Sequence, residues 1–229
     1  MAWYIRRKCI EFLKIDYNTE LEWLNEIGIE NQKNYQIWHH RKIILELSNI
    51  GKYEKEYLFN VFKVDSKNFH AWCHRIWAVR RFNLFDGEDE FIKVMLDDDC
   101  RNNSAWNFKF FVFTYTHDKI DQKLISKEIE FCFSYIDNIP KNESPYNFIR
   151  GFFTDVKLKN EVKYEDYPIL KEKLLKLVEE DDTNSYAYSL LLDIYQAEKN
   201  KDKYKETCEK LQKIDVIRKK YWLWRQQKM

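Results

Sequence analysis

Four basic side chains stand directly before an asparagine, at places where the sequence predicts the start of a helix. The four pairs are Lys33-Asn34, Lys67-Asn68, Arg101-Asn102 and Lys141-Asn142. Asparagine is a preferred N-cap residue, because its side-chain oxygen accepts hydrogen bonds from the free amides of the first turn. A helix start also attracts anions, and a neighbouring cation strengthens that attraction. The pattern therefore indicates a chemistry of anion binding.

The side chains that could complete such a site fall at the same end of the predicted helices. A rim that carries Lys33, Asn68 and His70 on adjacent turns could hold a diphosphate. The position after the first helical residue varies among the copies, as Gln36, His70, Ser104 and Ser144. For the other three cations a solvated capping role is favoured. Repetition alone does not select Lys33 over them.

Other catalytic or metal-binding patterns are not visible in the sequence. His39 and His40 are poor metal ligands as a pair, because adjacent helical residues point about 100° apart. His40 and His74 occupy the same place in successive copies, which favours a role in stacking or hydrogen bonding between neighbouring helical hairpins. The five cysteines are scattered, without a CxxC pair, so the sequence predicts no zinc site and indicates a reducing compartment. There is no HExxH motif, no Gly-rich phosphate loop and no Ser-His-Asp pattern.

The elements that must position these side chains are helical repeats. Trp38, Trp72 and Trp106 are each 34 residues apart, and weaker copies are anchored near Trp3, Tyr146 and Tyr186. A period in this range is typical of a solenoid of helical pairs. A large aromatic residue at a repeated helical position is interpreted as a core wedge between neighbouring pairs. A base follows three residues after the anchor in four copies, as Arg6, Arg41, Arg75 and Lys109.

The apolar spacing predicts an all-α fold over residues 1–229, as a single domain of antiparallel helical hairpins in a right-handed, TPR-like superhelix. The predicted helices are 1–13, 21–29, 35–50, 54–64, 69–82, 88–96, 105–115, 125–136, 146–156, 168–178, 186–198, 203–214 and a capping helix 217–227. The helix 35–50 is paired with 54–64, and 69–82 with 88–96. Thr19 with Glu22 is predicted to cap the second helix, and Gly51 to end the third. The longest loop is predicted at 157–166.

Composition narrows the function classes. The chain has 39 basic and 38 acidic residues and a formal net charge of +1, which gives no global field for nucleic acid. No apolar run approaches the roughly 18 residues that a membrane span needs. No signal peptide is recognised, so a cytoplasmic protein without membrane insertion is expected.

The repeat blocks resemble a known family. Residues 33–41 read Lys-Asn-Tyr-Gln-Ile-Trp-His-His-Arg, residues 67–75 read Lys-Asn-Phe-His-Ala-Trp-Cys-His-Arg, and residues 101–107 read Arg-Asn-Asn-Ser-Ala-Trp-Asn. These blocks resemble the repeats of the α subunit of protein prenyltransferases. They look most like the subunit shared by protein farnesyltransferase and type I protein geranylgeranyltransferase. Generic tetratricopeptide arrays share the period, but they use small Gly and Ala residues where this chain has few glycines.

The resemblance implies a helical α subunit wrapped around a catalytic β subunit that supplies zinc and most of the isoprenoid pocket. It implies that Lys33 contacts the diphosphate of farnesyl or geranylgeranyl diphosphate and has the catalytic role. Asn68, His70 and Tyr35 would lie at the mouth of the same diphosphate-binding site. Gln36 would bind the C-terminal carboxylate of a CaaX protein substrate. No cofactor is expected on this chain alone, and Mg²⁺ is a further candidate companion of the diphosphate.

Two other interpretations remain open at the level of sequence. One is a non-catalytic helical-repeat adaptor, which the joint presence of Lys33, Gln36, Asn68 and His70 disfavours. The other is the α subunit of Rab geranylgeranyltransferase. The block 101–104 resembles the repeats of that subunit less closely, and that subunit often carries extra domains. The choice between farnesyl and geranylgeranyl donors lies in the β subunit.

Overall fold

The protein is all-helical in the part of the chain that the structure, a computed structural model, describes: residues 1–117, 119–156, 158 and 161–228. These residues form thirteen α-helices, two short 3₁₀ turns and no β-strand, which confirms the predicted all-α fold of helical hairpins. The chain divides into two compact units, Met1–Thr116 and His117–Met229. A single domain over 1–229 stays a prediction.

The first unit contains seven helices. They are α1 (Ala2–Leu13), α2 (Tyr17–Glu30), α3 (Tyr35–Ser48), α4 (Glu54–Val64), α5 (Phe69–Phe82), α6 (Glu88–Asp98) and α7 (Asn103–Thr116). The closest pairs are α2 with α3, α4 with α5 and α6 with α7. The predicted pairing of 35–50 with 54–64 is therefore one helix out of register. The turns before α3, α5 and α7 are bonded to the tryptophans of the helices that follow, which holds each of these helices close to the helix before its turn.

The second unit contains the remaining six α-helices. They are α8 (Gln122–Ile136), α9 (Glu143–Thr154), α10 (Pro168–Glu180), α11 (Ser185–Ala197), α12 (Lys201–Ile214) and α13 (Lys219–Gln226). The 3₁₀ turns are Tyr164–Asp166 and Val216–Arg218. Helix α11 packs against α9, α10 and α12, and α12 packs against α13. Of the predicted loop 157–166, residues 157, 159 and 160 lie outside the described residues.

The repeated aromatic residues are core wedges, as the period predicted. Trp38, Trp72, Trp106 and Tyr146 are all buried. Each also donates a hydrogen bond to a carbonyl six residues earlier, in the turn before its own helix. The three indole Nε1 atoms bond Gln32 O at 2.7 Å, Ser66 O at 2.9 Å and Cys100 O at 2.9 Å, and Tyr146 Oη bonds Pro140 O at 2.8 Å. A wedge therefore fixes its own turn as well as filling the core.

The asparagine N-caps are also confirmed, and they join successive repeats. Asn68 Oδ1 accepts from the amide of Ala71 at 3.0 Å, while its Nδ2 faces the Gln32 carbonyl of the preceding turn at 3.5 Å. Asn102 caps α7, and its Nδ2 donates to Ser66 O at 2.9 Å. One carbonyl thus receives both the indole of its own repeat and the asparagine of the next. This double use explains why asparagine recurs at a place where serine or aspartate would cap equally well.

The two residues predicted to set helix boundaries, Thr19 and Gly51, do not do so, and α8 and α9 each begin three residues earlier than predicted, at Gln122 and Glu143. Helix α2 begins at Tyr17 with Asp16 as N-cap, because the Asp16 carboxylate accepts from the amide of Asn18 and starts the helix before Thr19 is reached. Helix α3 ends with Asn49 in the left-handed conformation at φ 53°, so Gly51 is not the stop. Gly51 has a different reason to be glycine. A Cβ there would lie 2.2 Å from the ring of Phe82.

Candidate functional site

The predicted site residues lie on or beside three turns of the first unit, which precede α3, α5 and α7. We call these turns, 31–34, 65–68 and 99–102, the cap rim. Asn68 and Asn102 hold each turn to the one before it through their Nδ2 atoms. The starts of α3 and α5 are therefore neighbours, since these helices also pack against each other.

The five predicted residues differ in how far they reach solvent. Lys33 and Gln36 are exposed, and Tyr35 is 67% exposed at the first position of α3. His70 is half-buried at the second position of α5, with its ring 5.8 Å from that of the exposed Phe69. Asn68 is only 4% exposed. The structure thus brings Lys33, Tyr35 and Gln36 together on one helix start, with His70 on the next.

Both the oxygen and the nitrogen of the Asn68 side-chain amide contact other protein atoms. Its Oδ1 caps α5, and its Nδ2 faces the carbonyl and the Oε1 of Gln32 at 3.5 and 3.4 Å. Gln32 directly precedes Lys33. The role that this geometry gives Asn68 is to hold the turn that carries Lys33 against the start of α5.

The lysines of equivalent turns are not equivalent in their ion pairs. Lys67 Nζ lies 2.7 Å from Asp99 Oδ2, and Lys141 Nζ lies 2.9 Å from Asp181 Oδ2 in the second unit. Asp65 stands at the same 32-residue offset from Lys33 as Asp99 does from Lys67. Among the described residues, however, no carboxylate oxygen lies within 4.0 Å of Lys33 Nζ. Lys33 is therefore available for an external anion, whereas Lys67 and Lys141 are already paired.

The hydrogen-bond donors around the two paired aspartates lower the pKa of each carboxylate. The hydrogen bond from Lys67 is the main cause that lowers the pKa of Asp99, helped by the backbone amide of Arg101. Hydrogen bonds from Thr183 and then from Lys141 lower the pKa of Asp181 to about 2. Both carboxylates stay charged at neutral pH, so each can neutralise its lysine.

A cavity of about 460 Å³ opens beside Lys33. It is lined by residues 29–34 together with Val64 and Asp65. A larger cavity, of about 720 Å³, lies among α2, α3 and α4, and its lining includes Arg41, Glu54 and Tyr57. In the larger cavity Arg41 binds both Glu54 and Asn25. Of the five predicted site residues, Lys33 alone is among those that line the smaller cavity.

A buried ladder of glutamates was missed by the sequence reasoning. Glu20, Glu54 and Glu88 are 34 residues apart, the same period as the tryptophans. Each forms a bidentate pair with the repeated arginine: Arg6–Glu20 at 2.6 and 2.7 Å, Arg41–Glu54 at 2.6 and 2.9 Å, Arg75–Glu88 at 2.8 and 2.9 Å. Their common spacing was the signal that could have revealed them.

The repeated histidines join this ladder. His40 Nε2 lies 2.7 Å from Glu20 Oε1, and His74 Nε2 lies 2.8 Å from Glu54 Oε1. Their rings also lie about 5 Å from indoles of the preceding repeat, at 5.0 Å for Trp3–His40 and 5.2 Å for Trp38–His74. The rings of each pair are tilted by 42° and 52° rather than stacked, and these ring contacts link successive repeats, whereas the hydrogen bonds join the two helices of one close pair. Among the described residues, no three His, Cys, Asp or Glu side chains are grouped so that they could hold a metal ion.

Comparison with known families identifies the repeats. The family model described as "Protein prenyltransferase alpha subunit repeat" matches residues 17–48, 52–82 and 85–116. These segments coincide with the close pairs α2–α3, α4–α5 and α6–α7. Residues 17–48, 52–82 and 85–116 therefore match three repeats of the protein prenyltransferase α subunit. The cap rim thus consists of the turns inside three consecutive family repeats.

Curated relatives carry the same repeats. The chain is 36% identical over 121 residues to the Dictyostelium discoideum protein farnesyltransferase/geranylgeranyltransferase type-1 subunit alpha, a match that spans 51% of this chain and 36% of that protein. It is 44% identical over 55 residues to the Schizosaccharomyces pombe protein of the same description, over 24% of this chain and 18% of that one. The matches thus span about a third or less of these relatives.

A solved structure extends the likeness to almost the entire chain. A chain of Candida albicans protein geranylgeranyltransferase-I complexed with GGPP superimposes with a TM-score of 0.85 and 29% sequence identity. The superposition covers 99% of this chain and 77% of that one. The prenyltransferase-like fold therefore includes the second unit, which the family model does not match.

Proposed function

We propose that this protein is the α subunit of a heterodimeric CaaX protein prenyltransferase. The enzyme would transfer a farnesyl or geranylgeranyl group from the isoprenoid diphosphate to a cysteine near the C-terminus of its protein substrates. The observation that carries this proposal is the likeness to a geranylgeranyltransferase-I chain over 99% of the present chain, together with three α-subunit repeats.

In this proposal Lys33 stabilises the leaving diphosphate. Cleavage of the bond at the prenyl carbon increases the negative charge on the diphosphate oxygens. A fixed cation beside them stabilises the transition state more than the ground state. Lys33 suits this role because it is exposed and makes no ion pair with the described residues, whereas Lys67 is held by Asp99.

The neighbouring side chains would bind the rest of the two substrates. Gln36, exposed on the first turn of α3, would donate to the C-terminal carboxylate of the CaaX protein. Tyr35 and His70 would line the mouth beside the diphosphate. Asn68 would act on the same site by holding the turn that carries Lys33, since both ends of its amide bond to protein atoms.

The remaining chemistry would come from outside this chain. Zinc and most of the isoprenoid pocket would belong to the β subunit, and Mg²⁺ is a candidate companion of the diphosphate. The nucleophile would be the thiolate of the protein substrate. None of the helices described here is apolar and long enough to traverse a bilayer. The cytoplasm is the proposed compartment.

The two other interpretations are less favoured. A non-catalytic adaptor would have no need for an unpaired lysine at a site where the equivalent lysines are paired. The Rab-type α subunit is disfavoured because both matched curated relatives are described as farnesyltransferase/geranylgeranyltransferase type-1 subunits.

Co-expression tests the proposal directly. The chain is produced with each candidate β subunit from the same organism, and prenyl transfer to a CaaX peptide is measured with either isoprenoid diphosphate. We expect a 1:1 complex that transfers one of the two groups, and no transfer to a peptide in which serine replaces the acceptor cysteine. Failure of every β candidate to form a complex, or a stable complex without transfer from either donor, would contradict the proposal.

A further inference from the structure

Positive charge is concentrated in the last thirty described residues. Residues 199–228 contain eleven Lys and Arg against four Asp and Glu, a surplus of seven, although the whole chain has a net charge of only +1. Four of these cations form ion pairs, namely Lys203, Lys210, Arg218 and Arg225. The other seven are exposed and make no ion pair in the described part of the chain: Lys199, Lys201, Lys205, Lys213, Lys219, Lys220 and Lys228.

Large apolar side chains are exposed in the segment that carries three of these lysines, Lys219, Lys220 and Lys228. Ile217 is 98% exposed and Trp224 is 51% exposed, and Val216, Tyr221 and Leu223 are also exposed. Tyr221 and Trp224 are three residues apart on α13, and Lys228 Nζ lies 5.3 Å from the centre of the Trp224 ring. Ile217 lies in the 3₁₀ turn that precedes this helix. The rings of Tyr221 and Trp224 are stacked with their centroids 6.0 Å apart. We call Val216–Lys228 the basic-aromatic face.

This face is held firmly on the second unit. Trp222 is buried, and its Nε1 donates to Asp215 Oδ2 at 2.8 Å. Arg225 bonds Asp193 at 3.0 Å and Tyr204 at 3.1 Å. The buried and paired residues therefore anchor α13, so its exposed apolar side chains have not simply failed to pack.

We propose that the basic-aromatic face docks the protein on an anionic lipid surface. Lysines attract the negatively charged headgroups, while Trp and Tyr prefer the boundary between headgroups and acyl chains. Exposed Ile217, Val216 and Leu223 add hydrocarbon that a bilayer would bury. A nucleic acid would use the lysines and the stacked rings, but it offers nothing to these aliphatic side chains. This docking is peripheral and needs no spanning helix, and it does not depend on the proposed prenyl transfer.

Vesicle co-sedimentation of the full chain, in complex with its β subunit where the two assemble, tests this inference. We expect binding to phosphatidylcholine vesicles that contain phosphatidylserine, weak binding to phosphatidylcholine alone, and a decrease as salt screens the charges. Lys219→Glu combined with Lys220→Glu should weaken binding by at least about tenfold. Ile217→Ser combined with Trp224→Ser should also weaken it, although no charge is changed.

The matched control is Lys123→Glu combined with Lys127→Glu, which reverses two exposed lysines on α8 and should leave vesicle binding unchanged. Thermal melting of each variant should match the parent, because all the substituted residues are exposed. The inference is overturned if the protein does not bind anionic vesicles, or if the control weakens binding as much as the patch variants do. Binding to RNA without binding to vesicles, or masking of the face by the β subunit, would equally overturn it.

Discussion

Lys67 is bound to Asp99 across the cap rim, with 2.7 Å between Nζ and Oδ2. Lys33 occupies the same place one repeat earlier, yet it makes no such pair with Asp65, the residue at the equivalent offset. Two lysines that the repeat makes alike are thus distinguished by a single ion pair. This difference gives the proposed site its most useful internal comparison, because only one of the two lysines is available for an external anion.

The glutamate ladder predicts a specific loss of stability. Burial alone would raise the pKa of Glu54, but the charge of Arg41 and the bond to His74 outweigh it and lower that pKa to about 2. Glu54→Gln leaves the buried Arg41 without a counter-ion, so we expect a loss of about 3–5 kcal/mol in the free energy of unfolding. The exposed Glu56→Gln on the same helix is the control. An equal, small effect of both substitutions on thermal or urea unfolding would contradict this assignment.

The same carboxylate predicts a pH dependence. Because the folded-state pKa of Glu54 lies below its ordinary value of 4.5, its contribution to stability is fully present above about pH 4.5 and is lost as the pH falls toward about 2. Acidification over this range should therefore destabilise the parent more than Glu54→Gln. Unfolding measured at neutral pH and at about pH 3 compares the two. Parallel losses in both proteins would show that Glu54 does not titrate as described.

Asparagine caps that join repeats should matter more than caps that do not. Asn184 is fully buried, accepts from Ala187 N at 3.1 Å, and donates to Pro140 O at 2.9 Å and Tyr146 Oη at 3.1 Å. Asn200 is exposed, and the one hydrogen bond described for its side chain is the cap bond that it accepts from Lys203 N at 3.1 Å. We expect Asn184→Ala to cost about 2–3 kcal/mol and Asn200→Ala about 1 kcal/mol in unfolding free energy. Similar costs would refute the joining role.

Much of this fold could be predicted from local patterns. The 34-residue period of Trp38, Trp72 and Trp106 predicted helical repeats, and asparagine at a fixed distance before each wedge predicted the caps. The cap signal is local, since a cap bonds to the first turn of its own helix. The tryptophan signal can be read from the sequence spacing alone. In the first unit the pairing of the helices was predicted one helix out of register, because the period does not tell which neighbour a helix packs against most closely. The bonds to the turn carbonyls decide that.

Long-range pairs could not be predicted in the same way. Arg225 and Arg150 both bind Asp193, at 3.0 and 2.7 Å, from 32 and 43 residues away in the sequence. Nothing in the local pattern marks these three as partners. At the candidate site, the residue types could be predicted, but it could not be predicted that Lys33 makes no ion pair with the described residues. It depends on where the side chain of Asp65 lies relative to Lys33.

Peptide recognition by Gln36 can be tested by combining a substitution in the protein with a modification of the peptide. Gln36→Ala should raise KM for a CaaX peptide and leave KM for the prenyl diphosphate nearly unchanged, because a hydrogen bond to a carboxylate is worth roughly 1.5–3 kcal/mol. Amidation of the peptide C-terminus should cost the parent a similar amount. If Gln36 binds that carboxylate, amidation should add little further loss in the variant. Fully additive effects, or an unchanged peptide KM, would remove Gln36 from the site.

The most direct test of the proposed function is single-turnover prenyl transfer by the heterodimer with Lys33→Ala and, separately, with Lys67→Ala. If Lys33 stabilises the charge that grows on the leaving diphosphate, its loss should slow the chemical step by roughly 10- to 1,000-fold, with a smaller loss of donor affinity. Lys67→Ala should change the rate far less, because that lysine is paired with Asp99. Small, equal effects of both substitutions would contradict the account, since the lysines would then serve only the repeat.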